Sequence, residues 1–294
     1  ELIPMGQDAA FASLFAARWS DTRTIVEQLR AKIAAQLDQT AKQWPWSAHA
    51  GIAQVNGTAL PFHQGPMAQV SDVPAFARAV ADAGSMPWIA LSNMPAHVAH
   101  ETIKQTAELC ADVPWGAGII GLDANHNRDA HLAILKAEKP PFVLVAAGTS
   151  EQALDLESAG VRTWLHTPTP GLLRHALESG LRRFILEGTE AGGHVGGLGG
   201  LVLWQLGIVE VERAIEAGVN PAEIAFVPAG GLGDAPSANA LATILIGLAR
   251  EGVRTGLQLG TAYLMCEEAI ETGAVARGYQ QAIIRSKQTV LMGE

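Results

Sequence analysis

The groups best able to do chemistry are concentrated in Leu186-Glu-Gly-Thr-Glu-Ala-Gly-Gly-His-Val-Gly-Gly197. Gly192 and Gly193 can present backbone N–H groups to a ligand with no Cβ in the way. His194 is the neighbouring side chain that can exchange protons near neutral pH, and Glu190 is placed to orient it. A second segment, Val227-Pro-Ala-Gly-Gly-Leu-Gly-Asp234, offers Gly230, Gly231 and Gly233 as a nest of amides opening onto a helix. Unpaired N–H groups at the positive end of a helix dipole make an anion site. Gly260 and Thr261, in Leu257-Gln-Leu-Gly-Thr-Ala-Tyr263, can add further donors, and the two turns together point to one phosphate. Near the start of the chain's apolar pattern, Gly65-Pro66-Met67 can lay backbone and a soft thioether wall beneath a planar ring system.

These segments need elements that carry them to one place. From about Phe62 a short apolar run, a capped helix and another apolar run alternate. Strands are expected near Phe62–Gln64, Met86–Leu91, Ala117–Ile120, Phe142–Ala146, Thr163–His166, Arg183–Glu187, Ala225–Pro228 and Gly256–Leu259. Asp72, Ser150, Thr169-Pro170 and Asp234 with Pro236 read as helix starts, and Gly84, Gly160 and Gly180 as helix ends. Eight such alternations predict an α/β fold, a (β/α)8 TIM barrel, with the glycine-rich turns after strands six, seven and eight at its C-terminal mouth. His166 and Asn93 fall at strand ends and are expected to line the substrate pocket. His126 and His131, in a polar segment, read as solvated, and Cys266 as a packing residue.

Residues 1–60 read as a helical N-terminal extension and 61–294 as the barrel. Within the extension, Ala9–Trp19 and Thr22–Gln39 are expected helices, and Ile25, Leu29, Ile33 and Leu37 a buried face of the second. The formal charge of −9, with no Lys/Arg run, argues against nucleic-acid and membrane partners. Two cysteines, Cys110 and Cys266, make no disulfide framework, so a reducing, cytoplasmic setting is expected. No metal-ligand spacing occurs.

Gly65-Pro66-Met67, Glu187-Gly-Thr-Glu-Ala-Gly-Gly-His194, Ala229-Gly-Gly231 and Gln258-Leu-Gly-Thr261, in that order, resemble the FMN-dependent barrel family of nitronate monooxygenases (2-nitropropane dioxygenases) and flavin enoyl-acyl-carrier-protein reductases. The resemblance extends from about Phe62 to Ala282. It implies non-covalent FMN, its phosphate held at Gly230–Gly231 and Gly260–Thr261. It also implies backbone contacts to the flavin from Pro66, Met67 and Ala68 and from Gly192 and Gly193, with His194 as the active-site histidine. Glu187-Gly188 is similar to the reductase branch, whereas Gly-Thr-Ala-Tyr263 departs from the family's Gly-Thr-Arg-Phe.

The expected function is reduction of an enoyl thioester, on acyl carrier protein or CoA, with NADH or NADPH as reductant. The alternatives are a nitronate monooxygenase using O2 and a non-catalytic flavin-binding scaffold. The helical prelude and the start at Glu1 resemble flavin domains embedded in polyketide- or fatty-acid-synthase-like proteins, so neighbouring synthase domains are expected partners.

Overall fold

The computed structural model describes residues 5–193 and 195–289. Nine parallel strands build one barrel wall: β1 (Phe62–Gln64), β2 (Trp88–Ala90), β3 (Gly116–Ile120), β4 (Phe142–Ala146), β5 (Arg162–His166), β6 (Arg183–Glu187), β7 (Ala225–Ala229), β8 (Arg254–Thr255) and β9 (Leu257–Leu259). They pair in the order β1-β9-β7-β6-β5-β4-β3-β2, with β8 beside β7. The ring closes through Met86, which donates to Phe62 O and accepts from Gln64 N, both at 2.9 Å. β8 and β9 together occupy the eighth position of a (β/α)8 barrel, because the chain breaks its ladder at Gly256 before pairing with β1.

A 3-10 turn (Gln7–Phe11), α1 (Ala12–Arg18), α2 (Thr22–Lys42) and α3 (Ala53–Asn56) precede the barrel. The outer helices are α4 (Pro74–Asp82), α5 (Ala96–Leu109), α6 (Arg128–Glu138), α7 (Ser150–Ser158), α8 (Pro170–Glu178), α9 (Gly200–Glu216) and α10 (Ala235–Glu251). Three short helices follow among the described residues: α11 (Thr261–Leu264), α12 (Glu267–Glu271) and α13 (Arg277–Arg285). Among the described residues no helix is long and apolar enough to cross a membrane, and no cluster of His, Cys, Asp or Glu could hold a metal.

The strand period of two sorts side chains between two cores. Inward positions place Trp88, Phe142, Leu144, Trp164, Ile185 and Val227 inside the barrel, over Ile52. Outward positions such as Ile89, Val143, Val145, Leu165, Phe184 and Phe226 meet Leu135, Leu156, Leu173, Leu203 and Leu245 of the helices. Each fully buried side chain of this size stabilises by about 1.5–3 kcal/mol. The caps act where polar residues stop the ladder. Thr169 Oγ1 accepts from Leu172 N at 3.2 Å, and Asp234 with Ser237 forms a reciprocal capping box. The cap of α7 is Thr149 rather than Ser150, because Gln152 completes the box with Thr149. At α4 it is Val73, one residue after Asp72, with Pro74 in the first turn.

Two further expectations are corrected. The apolar stripe on α2 is not buried: Leu29, Ile33 and Leu37 are 43%, 56% and 54% exposed. That helix meets α10 through other residues, with Gln36 Nε2 donating to Thr243 O at 3.5 Å and Thr40 buried. His131 is buried on the inner side of α6, its Nε2 2.9 Å from Met94 O, and burial lowers its pKa. His126 is exposed.

Candidate active site

A cavity of about 470 Å3 opens at the C-terminal ends of the strands, within the roughly 300–1,000 Å3 usual for small-molecule and cofactor sites. Four loops supply its walls.

The loop after β1 crosses the mouth and places Gly65, Pro66, Met67 and Ala68 against the cavity. Met67 N donates to Ser71 Oγ at 2.7 Å and Ser71 N to Met67 O at 2.8 Å. Ser71 O in turn accepts from Ala90 N of β2 at 3.0 Å, which pins the loop to the wall. Pro66 rests on Gly118 of β3, where a Cβ would lie 2.6 Å from the proline Cβ. Only glycine admits that approach, so the level of the loop is set by backbone.

The loop after β6 contributes Glu190, Ala191, Gly192 and Gly193. Glu190 Oε2 accepts from Gly200 N at 2.7 Å, tying the loop to the start of α9. His194 lies outside the described residues. The loop after β7 meets this one closely. Gly230 has φ +99°, and a Cβ on it would be 3.0 Å from Ala191 N. Gly231 is also left-handed, at φ +67°. Gly230 and Gly231 line the cavity, and their N–H groups have no acceptor among the described residues. Gly233 does not line it; its N–H donates to Ser237 Oγ at 3.3 Å. Gly260 and Thr261 complete the ring after β9.

His166 and Asn93 both line the cavity. His166 ends β5, and its Nδ1 is 3.0 Å from Glu187 Oε2 at the end of β6. Burial pushes the Glu187 carboxyl up to about 7 and the His166 ring down to about 4. Among the described residues His166 Nε2 is buried with no partner, as is Oε1 of the cavity-lining Gln258. Below them His63, wholly buried, takes a 2.7 Å contact from Asn56 Nδ2 on its Nε2. Burial, then the nearby His166, hold His63 down to about 3. Gln258 and Tyr279, which no sequence motif marks as site residues, also line the cavity. Gln258 was accessible as an inward position, in register with His63; Tyr279 arrives from α13, far along the chain, with no local signal.

A cavity with a glycine-backed floor, two unengaged amides beside a helix start and a buried ring nitrogen suits a planar, phosphate-bearing ligand with polar ring edges. No protein-family model matches the chain, and no curated protein sequence matches it. Solved structures do. A FabK variant from Thermotoga maritima superposes with a TM-score of 0.67 at 24% identity, covering 82% of this chain and 73% of that one. Nitroalkane oxidase from Streptomyces ansochromogenes gives 0.57 at 25%, covering 74% and 69%. The fold is that of these oxidoreductases.

The enoyl reductase domain of MlnA, from the macrolactin biosynthesis cluster of Bacillus amyloliquefaciens, gives 0.57 at 11% identity. That match covers 75% of this chain but only 58% of the MlnA chain. The two branches that the sequence motifs resemble are the flavin enoyl-acyl-carrier-protein reductases and the nitronate monooxygenases.

Proposed function

We propose that the chain is an FMN-dependent oxidoreductase that reduces the C=C bond of an enoyl thioester with NADH or NADPH. The observation that carries this reading is the convergence of the loops after β1, β6, β7 and β9 on one cavity. Gly230 and Gly231, beside the start of α10, and Gly260 with Thr261 would hold the phosphate. Backbone of Pro66, Met67 and Ala68 and of Gly192 and Gly193 would contact the ring system. FMN, when bound, supplies hydride transfer. His194 would give a proton to the substrate α-carbon, directly or through water. Asn93 and His166 would face the acyl part, and Glu190 fixes the His194 loop through Gly200. The acyl chain would arrive on acyl carrier protein or CoA. On this reading residues 1–60 are a helical extension to a barrel of residues 61–294, working in the cytoplasm beside neighbouring synthase domains.

The test is steady-state NADH or NADPH oxidation with a crotonyl thioester. Acceleration over the thioester-free rate supports the reading, and none removes it. The likeness to nitroalkane oxidase at 25% identity favours a second reading, a nitronate monooxygenase. Oxygen uptake with propyl nitronate, without nicotinamide, selects that one. A protein that stays colourless after incubation with FMN is instead a scaffold without flavin chemistry.

A further inference from the structure

We propose that His166 and Glu187 act as one proton-holding dyad at the cavity floor, which switches His166 Nε2 between hydrogen-bond acceptor and donor. This goes beyond the oxidoreductase reading and does not depend on it.

The geometry leaves room for one proton between the two side chains. Nδ1 and Oε2 are 3.0 Å apart, so either the ring donates to a carboxylate or a carboxylic acid donates to the ring. In the first state Nδ1 carries the ring proton and Nε2 is a bare acceptor. In the second, Oε2–H donates to Nδ1 and the ring proton sits on Nε2, which becomes a donor. The change takes up one proton from solvent and moves one across the imidazole; no bond to carbon and no electron is involved. Nε2 is the atom on which the outcome is read, and among the described residues it is buried without a partner, in a side chain that lines the cavity. A carbonyl oxygen, such as that of a thioester, matches the protonated state, and an N–H group matches the deprotonated one.

The surroundings favour a switch near neutrality. β2, β3, β4 and β7 present Ala90, Ile120, Ala146 and Ala229 to the cavity, none of them titratable. β9 presents Gln258 and α13 presents Tyr279; His63 of β1 lies beneath the cavity rather than in its wall, and burial keeps it neutral. The loop after β6 adds Glu190, which is exposed and engaged by Gly200 N. No Lys or Arg among the described residues lines the cavity to hold Glu187 ionised. Burial raises the carboxyl to about 7 and opposes an imidazolium at His166. The two titrate as a pair.

The test is 15N NMR of the purified chain labelled at histidine, without substrate, the His166 signals being assigned by their loss in His166→Asn. As pH falls through about 7, the wild-type ring is expected to pass from the Nδ1–H to the Nε2–H tautomer while remaining neutral. Glu187→Gln should remove that step and leave one tautomer across the range. A wild-type His166 that becomes an imidazolium with an ordinary midpoint near 6.5 overturns the proposal, as does a Glu187→Gln variant that keeps the wild-type tautomer change. The wild-type titration alone decides the matter where the variant fails to fold. No turnover is measured, so failure here is separate from failure of the thioester assay.

Discussion

Replacing Gly118 by alanine tests whether the β1 loop is seated by backbone contact. The new Cβ would lie 2.6 Å from Pro66 Cβ and 2.9 Å from its Cγ, against 3.4–4 Å for ordinary contact. The difference, 3.4 minus 2.6, asks for a displacement of at least about 0.8 Å. A flexible side chain could yield by rotating; the pyrrolidine ring is closed onto its own backbone, so Gly65–Ala68 must move with it. Overpacking of this kind costs roughly 1–3 kcal/mol, which for a chain of this size lowers Tm by about 2–5 °C. The displaced segment is also the floor proposed to lie under the flavin ring. If half of the strain is relieved by raising that floor, FMN affinity falls by about 0.5–1.5 kcal/mol, roughly two- to tenfold. Thermal unfolding by circular dichroism and an FMN fluorescence titration measure the two effects. A Gly118→Ala protein matching wild type in both Tm and FMN affinity would refute the account of how the floor is held.

Gly247→Ala is the counterpart, because nothing lies within 4 Å of the added methyl and the site is inside α10. It should stabilise by about 0.5–1 kcal/mol, read as a higher urea midpoint at unchanged slope. Glu210 accepts from Arg174 Nε and Nη2 at 2.8 Å each, which holds its carboxyl below the ordinary carboxylate range. Its stabilisation is therefore complete above the unfolded carboxylate pKa of 4.5 and is lost as pH falls through the depressed folded value. Glu210→Gln should flatten that acid limb of the stability–pH curve; an identical limb would show that the pair contributes nothing there. Under the proposed reductase chemistry, His194→Ala should lower the thioester-dependent turnover by about 10²–10⁴-fold while flavin absorbance persists. Retained turnover removes the residue from the reaction.

Much of the barrel was readable because its signals are local. The strands at Phe142–Ala146 and Arg183–Glu187 are short apolar runs with turn residues at both ends, and they occur where expected. Caps at Thr169 and Asp234 depend on a side chain three residues from its donor, a spacing visible in sequence. What failed depends on partners distant in the chain. Four-residue spacing on α2 shows that its apolar side chains share a face, and says nothing about whether another surface covers it. His131 sits among polar neighbours in sequence, yet its acceptor is Met94, on the preceding strand–helix turn. The pairing of His166 with Glu187 is a tertiary fact of the same kind. Each was visible as a strand end, but their contact across β5 and β6 required the register of the closed sheet.

The uncovered stripe on α2 has a consequence for handling the chain in solution. Leu29, Ile33 and Leu37, with Val26 beside them 57% exposed, form an aliphatic ridge along a helix. Molecules carrying such a ridge attract one another at short range, and the formal charge of −9 opposes their approach. Salt shortens the reach of that repulsion, and acid removes it by neutralising carboxylates. Colloidal stability of this chain is thus greatest in dilute salt at neutral or mildly alkaline pH. It declines where that charge is lost.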